Sequence, residues 1–186
     1  EVEPMKKTDK KSLDKTLEQY KSWYGTGEYQ KALVLIQPLA EEGDARAQYN
    51  LGVHYEFGHG VEQDDDIAAL WYRKAAEQGD SGAQHNLACL YLAGRGVCVE
   101  AFTLYQQSAE QGHAGAQYSL GYLYQEGKGT GQSVDQALGW YRKAAEQGNG
   151  KAQYMLGTLY TEGKGVDKDC EAAAEWFRKA AEQVLR

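Results

Sequence analysis

Apolar and polar positions along this chain recur in a fixed pattern. In Ala47-Gln48-Tyr49-Asn50-Leu51-Gly52-Val53-His54-Tyr55, the small or apolar residues Ala47, Leu51, Gly52 and Tyr55 share one arc at helical spacing. This predicts an amphipathic helix from Ala47 to Phe57, with equivalents over 83–93, 116–126 and 152–162. A G-x-G pair follows each one (Gly58/Gly60, Gly94/Gly96, Gly127/Gly129, Gly163/Gly165), and glycine accepts the positive φ at which helices end. A second helix opens at Asp64, Ser133 or Asp169, residue types that accept hydrogen bonds from the orphan N–H groups of a first turn. It runs through Trp71-Tyr72-Arg73-Lys74-Ala75-Ala76-Glu77-Gln78 and stops at Gly79. The i,i+4 pairs Arg73/Glu77, Arg142/Glu146 and Arg178/Glu182 have the weaker, cation-first order and read as a solvated face.

The glycines show that these units are copies. The G-x-G pairs step by 36, 33 and 36 residues, as do Gly43, Gly79, Gly112 and Gly148. Gly52, Gly121 and Gly157 form a third register, with Ala88 in the remaining position, so fifteen of the 22 glycines stand in register. A fixed period within about 20–50 residues marks a repeat array. Glycine inside a helix costs about 1 kcal/mol of propensity, so its recurrence at Gly52 predicts close approach of a neighbouring helix. The fold class expected is all-α, about ten helices, two to each unit.

The segments Ala47-Gln48-Tyr49-Asn50-Leu51-Gly52, Gly58-His59-Gly60-Val61 and Trp71-Tyr72-Arg73-Lys74-Ala75-Ala76-Glu77-Gln78-Gly79 resemble the Sel1-like repeat, a longer relative of the tetratricopeptide repeat. The resemblance covers about residues 45–183 in four copies. It implies a right-handed α-solenoid whose first helices line a concave surface. It also implies a protein–protein adaptor, frequently a secreted or envelope protein of bacteria. The organisation expected is a mobile basic arm (1–11), a degenerate N-terminal capping repeat (12–44), and repeats over 45–80, 81–113, 114–149 and 150–186.

Several features depart from the repeat rule. Ser12 is read as the cap of a helix bearing Leu13, Leu17, Tyr20 and Tyr24, ended by Gly25-Thr26-Gly27. A second helix places Tyr29, Leu33, Ile36, Leu39 and Ala40 inward, with Pro38 near its end. Arrays need such atypical terminal repeats to shield their core, and after Val184-Leu185-Arg186 no equivalent follows. The second copy is three residues short: Val61 to Gly79 spans 18 positions but Val97 to Gly112 only 15. This is read as loss of the capping Asp and the first turn of its second helix, around Cys98. There the Trp position becomes Leu104 and Arg-Lys becomes Gln106-Gln107. Either the connection has drifted, or it is remodelled toward a partner.

Composition narrows the function. With 20 Lys+Arg against 27 Asp+Glu the net charge is −7, which disfavours the phosphate attraction that drives nucleic-acid binding. No apolar run approaches the roughly 20 residues of a membrane span. Cys89, Cys98 and Cys170 form neither a zinc pattern nor a disulfide framework. The cysteine-rich branch of the resembled family staples each helix pair, and that regular pairing is absent here. A single Cys89–Cys98 bridge is conceivable; the main expectation is three reduced, small apolar residues. Cys170, just after the capping Asp169, stands where a helix N-terminus favours a thiolate. His54, His59, His85 and His113 lack metal-binding spacing, no G-x-S-x-G elbow exists, and Asp64-Asp65-Asp66 reads as a solvated turn. No catalytic residue, cofactor or metal is expected.

What remains is surface. Opposite the apolar stripe, the first helices carry Tyr49, Asn50, Val53 and Phe57; His85, Asn86, Cys89 and Leu92; Tyr118, Tyr122 and Gln125; and Tyr154 and Met155. Aromatic and Met enrichment with few charges marks interface cores. Tyr49, Tyr118 and Tyr154 also match the family pattern and would serve equally to pack neighbouring helices. The reading is a non-enzymatic module holding a protein partner on its concave face, in one form a bacterial immunity protein or antagonist that occludes a toxin or effector. An envelope assembly or signalling scaffold is the alternative. An enzyme acting on cell-wall precursors or β-lactams is the rival class. The basic arm ahead of an acidic array suggests a periplasmic or otherwise exported protein, and unpaired cysteines fit the cytoplasm. Residue 1 is Glu, which suggests a processed product or a trimmed chain.

Overall fold

A computed structural model describes residues 10–94 and 98–184. They form ten helices: α1 (Lys10–Gly25), α2 (Tyr29–Glu41), α3 (Ala45–Phe57), α4 (Asp65–Glu77), α5 (Ser81–Gly94), α6 (Cys98–Glu110), α7 (Ala114–Glu126), α8 (Val134–Glu146), α9 (Gly150–Glu162) and α10 (Cys170–Val184). No strand occurs among the described residues. The chain divides into two compact units, Glu1–Asp80 with α1–α4 and Ser81–Arg186 with α5–α10. Within each unit the main packing is between helices consecutive in the chain.

The helix ends follow from local chemistry. The Asp64 and Ser133 side chains accept from the N–H groups of Ile67 and Gln136, and Asp169 from those of Glu171 and Ala172. Gly58, Gly127 and Gly163 close α3, α7 and α9 in the left-handed conformation. The first helices start two residues earlier than the apolar stripe predicts. The cause is a second set of caps that the stripe does not report: Asp44, His113 and Asn149 accept from the N–H groups of Ala47, Ala116 and Ala152.

The packing explains the helical glycines. A Cβ on Gly52 would stand 2.6 Å from the Tyr72 ring of α4, one on Gly121 2.8 Å from Tyr141, and one on Gly157 2.7 Å from Phe177. Tyr72 and Tyr141 are fully buried, each contributing about 1.5–3 kcal/mol by leaving water. That more than offsets the propensity lost at glycine. A polar ladder recurs beside it. Gln48, Gln117 and Gln153 donate through Nε2 to the carbonyls of Ala40, Ala109 and Ala145 on the preceding helix. Gln48, Gln84 and Gln117 accept in turn from Gln78, Gln111 and Gln147. On the outer faces of α4, α8 and α10, Lys74, Lys143 and Lys179 lie 3.8, 3.9 and 4.3 Å from the ring centres of Trp71, Trp140 and Trp176.

In the first unit, Leu17 and Tyr20 of α1 join Leu33, Ile36, Leu39, Ala47 and Leu51 in one core, so α1 and α2 pack with α3. Ser12 is not the cap of α1: that helix begins at Lys10, and the Ser12 carbonyl accepts from the Thr16 hydroxyl inside the helix. His54 occupies the position that carries Leu123 and Leu159 in later repeats and is fully buried. Its Nδ1 donates to the His59 carbonyl, and Tyr20 and Tyr24 pack on its ring.

In the second unit, α6 keeps 13 residues, the same as α4 and α8. The shortened copy has therefore not lost a helical turn. The missing residues come out of the connection at 95–97, which lies outside the described residues, as do the Cys98 side chain and the arm at 1–9. A helix of normal length is retained because Ala101, Tyr105 and Ala109 must still fill the core against Ala88, Ala116 and Leu120.

Candidate functional site

The residues expected to form a binding face sort into distinct places. In the first unit, Tyr49 and Asn50 line a pocket of about 460 Å³ with Leu17, Arg46 and Asp80. Its wall carries the Arg46–Asp14 ion pair at 2.9 Å, both side chains about half exposed, so the pair contributes little stability. Phe57 is 58% exposed and stacks on His59. His59 lies flat on Tyr29, and its Nδ1 is 2.8 Å from the Tyr24 hydroxyl. Val53 is half-buried.

In the second unit five expected residues converge. His85 and Cys89 of α5, Tyr118 of α7, and Tyr154 and Met155 of α9 line one groove of about 1020 Å³, completed by Phe177, Ala180 and Ala181 of α10. Phe177 belongs to a second helix and was missed by a reading confined to first helices; its place in the register of Tyr72 and Tyr141 was the available signal. Tyr118 packs on Tyr141 and Tyr154 on Phe177, with centroids 5.8 and 5.4 Å apart. Each ring thus rests on the second helix of its own repeat. Tyr154 remains 58% exposed. Tyr122 is exposed beside Lys128, whose Nζ lies 3.2 Å from its hydroxyl. Gln125 accepts from the Tyr141 hydroxyl and, with Met155, lines a smaller pocket of about 360 Å³. Leu92 turns toward the core around Ala88 and Tyr105; Asn86 is half-buried.

The second repeat is rebuilt at this groove. The Tyr72 hydroxyl bonds Glu56, and Tyr141 bonds Gln125. The equivalent acceptor position in α5 is Leu92, which cannot accept, and the Tyr105 hydroxyl stands instead 3.1 Å from Cys89 Sγ. Burial, with Cys89 next to it, pushes the Tyr105 hydroxyl well above its ordinary range, so it stays protonated. Cys89 is therefore a hydrogen-bonded thiol, not only a small apolar filler. His85 stands where other repeats carry Tyr, with Nε2 3.6 Å from Cys89 Sγ. This thiol–imidazole proximity is absent from the sequence reading. Burial, with His113 second, holds His85 down to about 4, and its buried Nδ1 has no hydrogen-bond partner. A ring so reluctant to take a proton, with no acceptor at Nδ1 to stabilise the charged form, is poorly suited as a general base. His113 caps α7 through Nδ1 and lies 4.8 Å from His85 by ring centroids. A Cβ on Gly115 would meet both imidazoles, at 3.1 and 3.4 Å. Cys170 is exposed at the start of α10. Among the described residues no group of three or more His, Cys, Asp or Glu is placed to hold a metal, and no helix is long and apolar enough to cross a membrane.

Antiparallel helix pairs repeated in register, with an aromatic groove on the first-helix side, define a protein-interaction repeat of the α-solenoid class. The chain belongs to the Sel1 repeat family, whose model matches residues 45–80, 81–113, 114–149 and 150–184. It is similar to the crystal structure of a Sel1 repeat protein from Oxalobacter formigenes, at 38% identity and TM-score 0.82 over 90% of this chain and 68% of that one. It also resembles a protective antigen of uropathogenic Escherichia coli strains, at 34% identity and TM-score 0.78 over 95% of this chain and 41% of that one. An immunity protein from Pseudomonas aeruginosa, 19% identical with TM-score 0.50 over 88% of this chain and 82% of that one, shares the fold alone. No curated protein matches the chain.

Proposed function

We propose that this chain is a non-catalytic binding module that holds a protein partner against the groove of its second unit. One observation carries this: an apolar, aromatic groove of about 1020 Å³ assembled from α5, α7, α9 and α10, with Tyr154 more than half exposed at its wall. Its volume lies at the upper end of small-molecule pockets, roughly 300–1,000 Å³, which suits several side chains of a polypeptide. Tyr118, Tyr154 and Phe177 supply rigid anchors of the kind that dominate interface energetics. An antagonist occluding a toxin or effector and an envelope scaffold would both use this surface. The rival reading, turnover of a cell-wall precursor or β-lactam, has little support from a thiol whose neighbouring imidazole resists protonation.

The test is affinity capture from the native host with wild type, a Tyr154→Ala/Phe177→Ala variant, and Phe57→Ala in the other unit. We expect a partner held by wild type and Phe57→Ala, with at least tenfold loss for the groove variant. Equal capture by all three would sink the groove reading.

A further inference from the structure

The groove has a polarity that defines what it receives. Besides α10, its residues come from the N-terminal and middle parts of three first helices: His85 and Cys89 of α5, Gly115, Tyr118 and Ser119 of α7, and Gly150, Lys151, Tyr154 and Met155 of α9 with its cap Asn149. These helices run parallel, because each alternates with an antiparallel partner: Gln111 near the end of α6 bonds Gln84 at the start of α5, and Gln147 bonds Gln117 likewise. The positive ends of three helix dipoles therefore face the same side, each worth roughly half a unit charge. Among the described residues no carboxylate lines the groove, although the chain as a whole carries −7. The one fixed charge among those lining residues is Lys151 in the first turn of α9, and Lys151 has no acidic partner among the described residues. The equivalent position in α3 is Arg46, which is paired with Asp14 and Asp44. His85 adds no charge near neutrality. The last turn of α10 contributes a negative dipole end through Ala180, Ala181 and Gln183, and Glu182 beside it is paired with Arg178 at 3.3 Å.

The sign reverses further along the same helices. Met155 belongs to both the groove and the smaller pocket at the C-terminal halves of α7 and α9, where Glu126 and Glu162 replace Lys151. Glu162 is paired with Lys164 at 2.8 Å. A polypeptide crossing Met155 thus meets Lys151 on one side and, on the other, Glu126 with the Glu162–Lys164 ion pair, which leaves that side one negative charge in excess.

We infer that the groove of the second unit receives a protein segment with aromatic or aliphatic side chains seated on Tyr118, Tyr154 and Phe177 and an Asp or Glu flanking them at the Lys151 end. This rests on the protein-binding reading and specifies its partner. The apolar residues supply affinity through buried area, and the carboxylate fixes direction, since a reversed segment would place its acid beside Glu126 and Glu162.

Selection from a display library of random dodecapeptides tests this directly, with full-length wild type, Lys151→Glu, Lys151→Ala and Tyr154→Ala/Phe177→Ala as baits. Circular dichroism melts would show that each bait is folded. Wild type should enrich segments with an acid within a few positions of an aromatic or aliphatic residue. Lys151→Ala should weaken a synthetic winning peptide by about three- to tenfold, and Lys151→Glu should replace its acid by Lys or Arg. The groove variant should lose the enrichment. Winners without an acid, or an unchanged consensus with Lys151→Glu, would overturn the inference and leave the groove reading standing. Winners that survive the groove variant, or no enrichment at all, would overturn both.

Discussion

A glycine and a tyrosine on facing helices act as one unit in this molecule. Gly121 has no room for a Cβ because the Tyr141 ring lies 2.8 Å from where it would stand. Gly121→Ala should therefore destabilise by about 1–3 kcal/mol through overpacking, although alanine is the better helix former. Gly139 of α8 faces open space with ordinary helical φ, and Gly139→Ala should stabilise by about 0.5–1 kcal/mol. Urea midpoints of the two variants should move in opposite directions; movement in the same direction would refute the assignment. His85 makes a second prediction. Its pKa falls from an ordinary 6.5 to about 4 because burial, and then His113, disfavour the cation. The unfolded chain therefore binds the extra proton first. The stability this neutral ring confers is complete above pH 6.5, is lost as pH falls from 6.5 toward 4, and changes no further below that. The loss should reach about 2–3 kcal/mol at most. His85→Tyr, the residue type of three other repeats, should flatten stability over that window. An unchanged slope in urea titrations between pH 7 and 4 would show that His85 does not carry it.

The helices repeat a small set of end devices, and the exceptions identify which ones matter. Asp44, His113 and Asn149 perform the same cap, but only the His113 acceptor is lost on protonation. His113→Ala should cost about 0.5–2 kcal/mol, with His113→Asp recovering most of it. Hydrogen exchange at the first turn of α7 would locate the effect, and a His113→Ala protein as stable as wild type would exclude it. These caps escaped a reading keyed to the apolar stripe because each is set three residues before the stripe begins. The Asp64, Ser133 and Asp169 caps were legible because Ser or Asp recurs at one register position ahead of these second helices. The shortened second repeat was misread for a different reason. A three-residue deletion can be taken from helix or loop, and only the need to keep Tyr105 and Ala109 in the core placed it in the connection.

Within each unit, the main packing joins helices that are neighbours in sequence, so the stability of each is a sum of repeat and nearest-neighbour terms. Leu120→Ala, at a fully buried site in α7, should cost about 2–5 kcal/mol. Its loss of hydrogen-exchange protection should concentrate in α6–α8 and spare α1–α4; a uniform loss would mean the chain unfolds as a single cooperative body.

The period, the all-α fold, the helix pairing and the glycine registers were all readable from the chain alone. Helix faces and ends depend on residues within about one turn of one another, where spacing maps directly onto a face or an end, and the period is the recurrence of those local patterns every 33 or 36 residues. Of the first-helix positions singled out from the sequence, five meet in one groove. Which five met was not legible. His85 beside His113, Tyr105 against Cys89, and Phe177 closing the wall beside Tyr154 join residues 16 to 28 positions apart, on different helices. Periodicity states that such helices pack. It does not state which side chains share a space or lose their solvent, because that follows from the distances the packed backbone imposes. The same packing gave an acidic chain a groove that, among the described residues, no carboxylate lines.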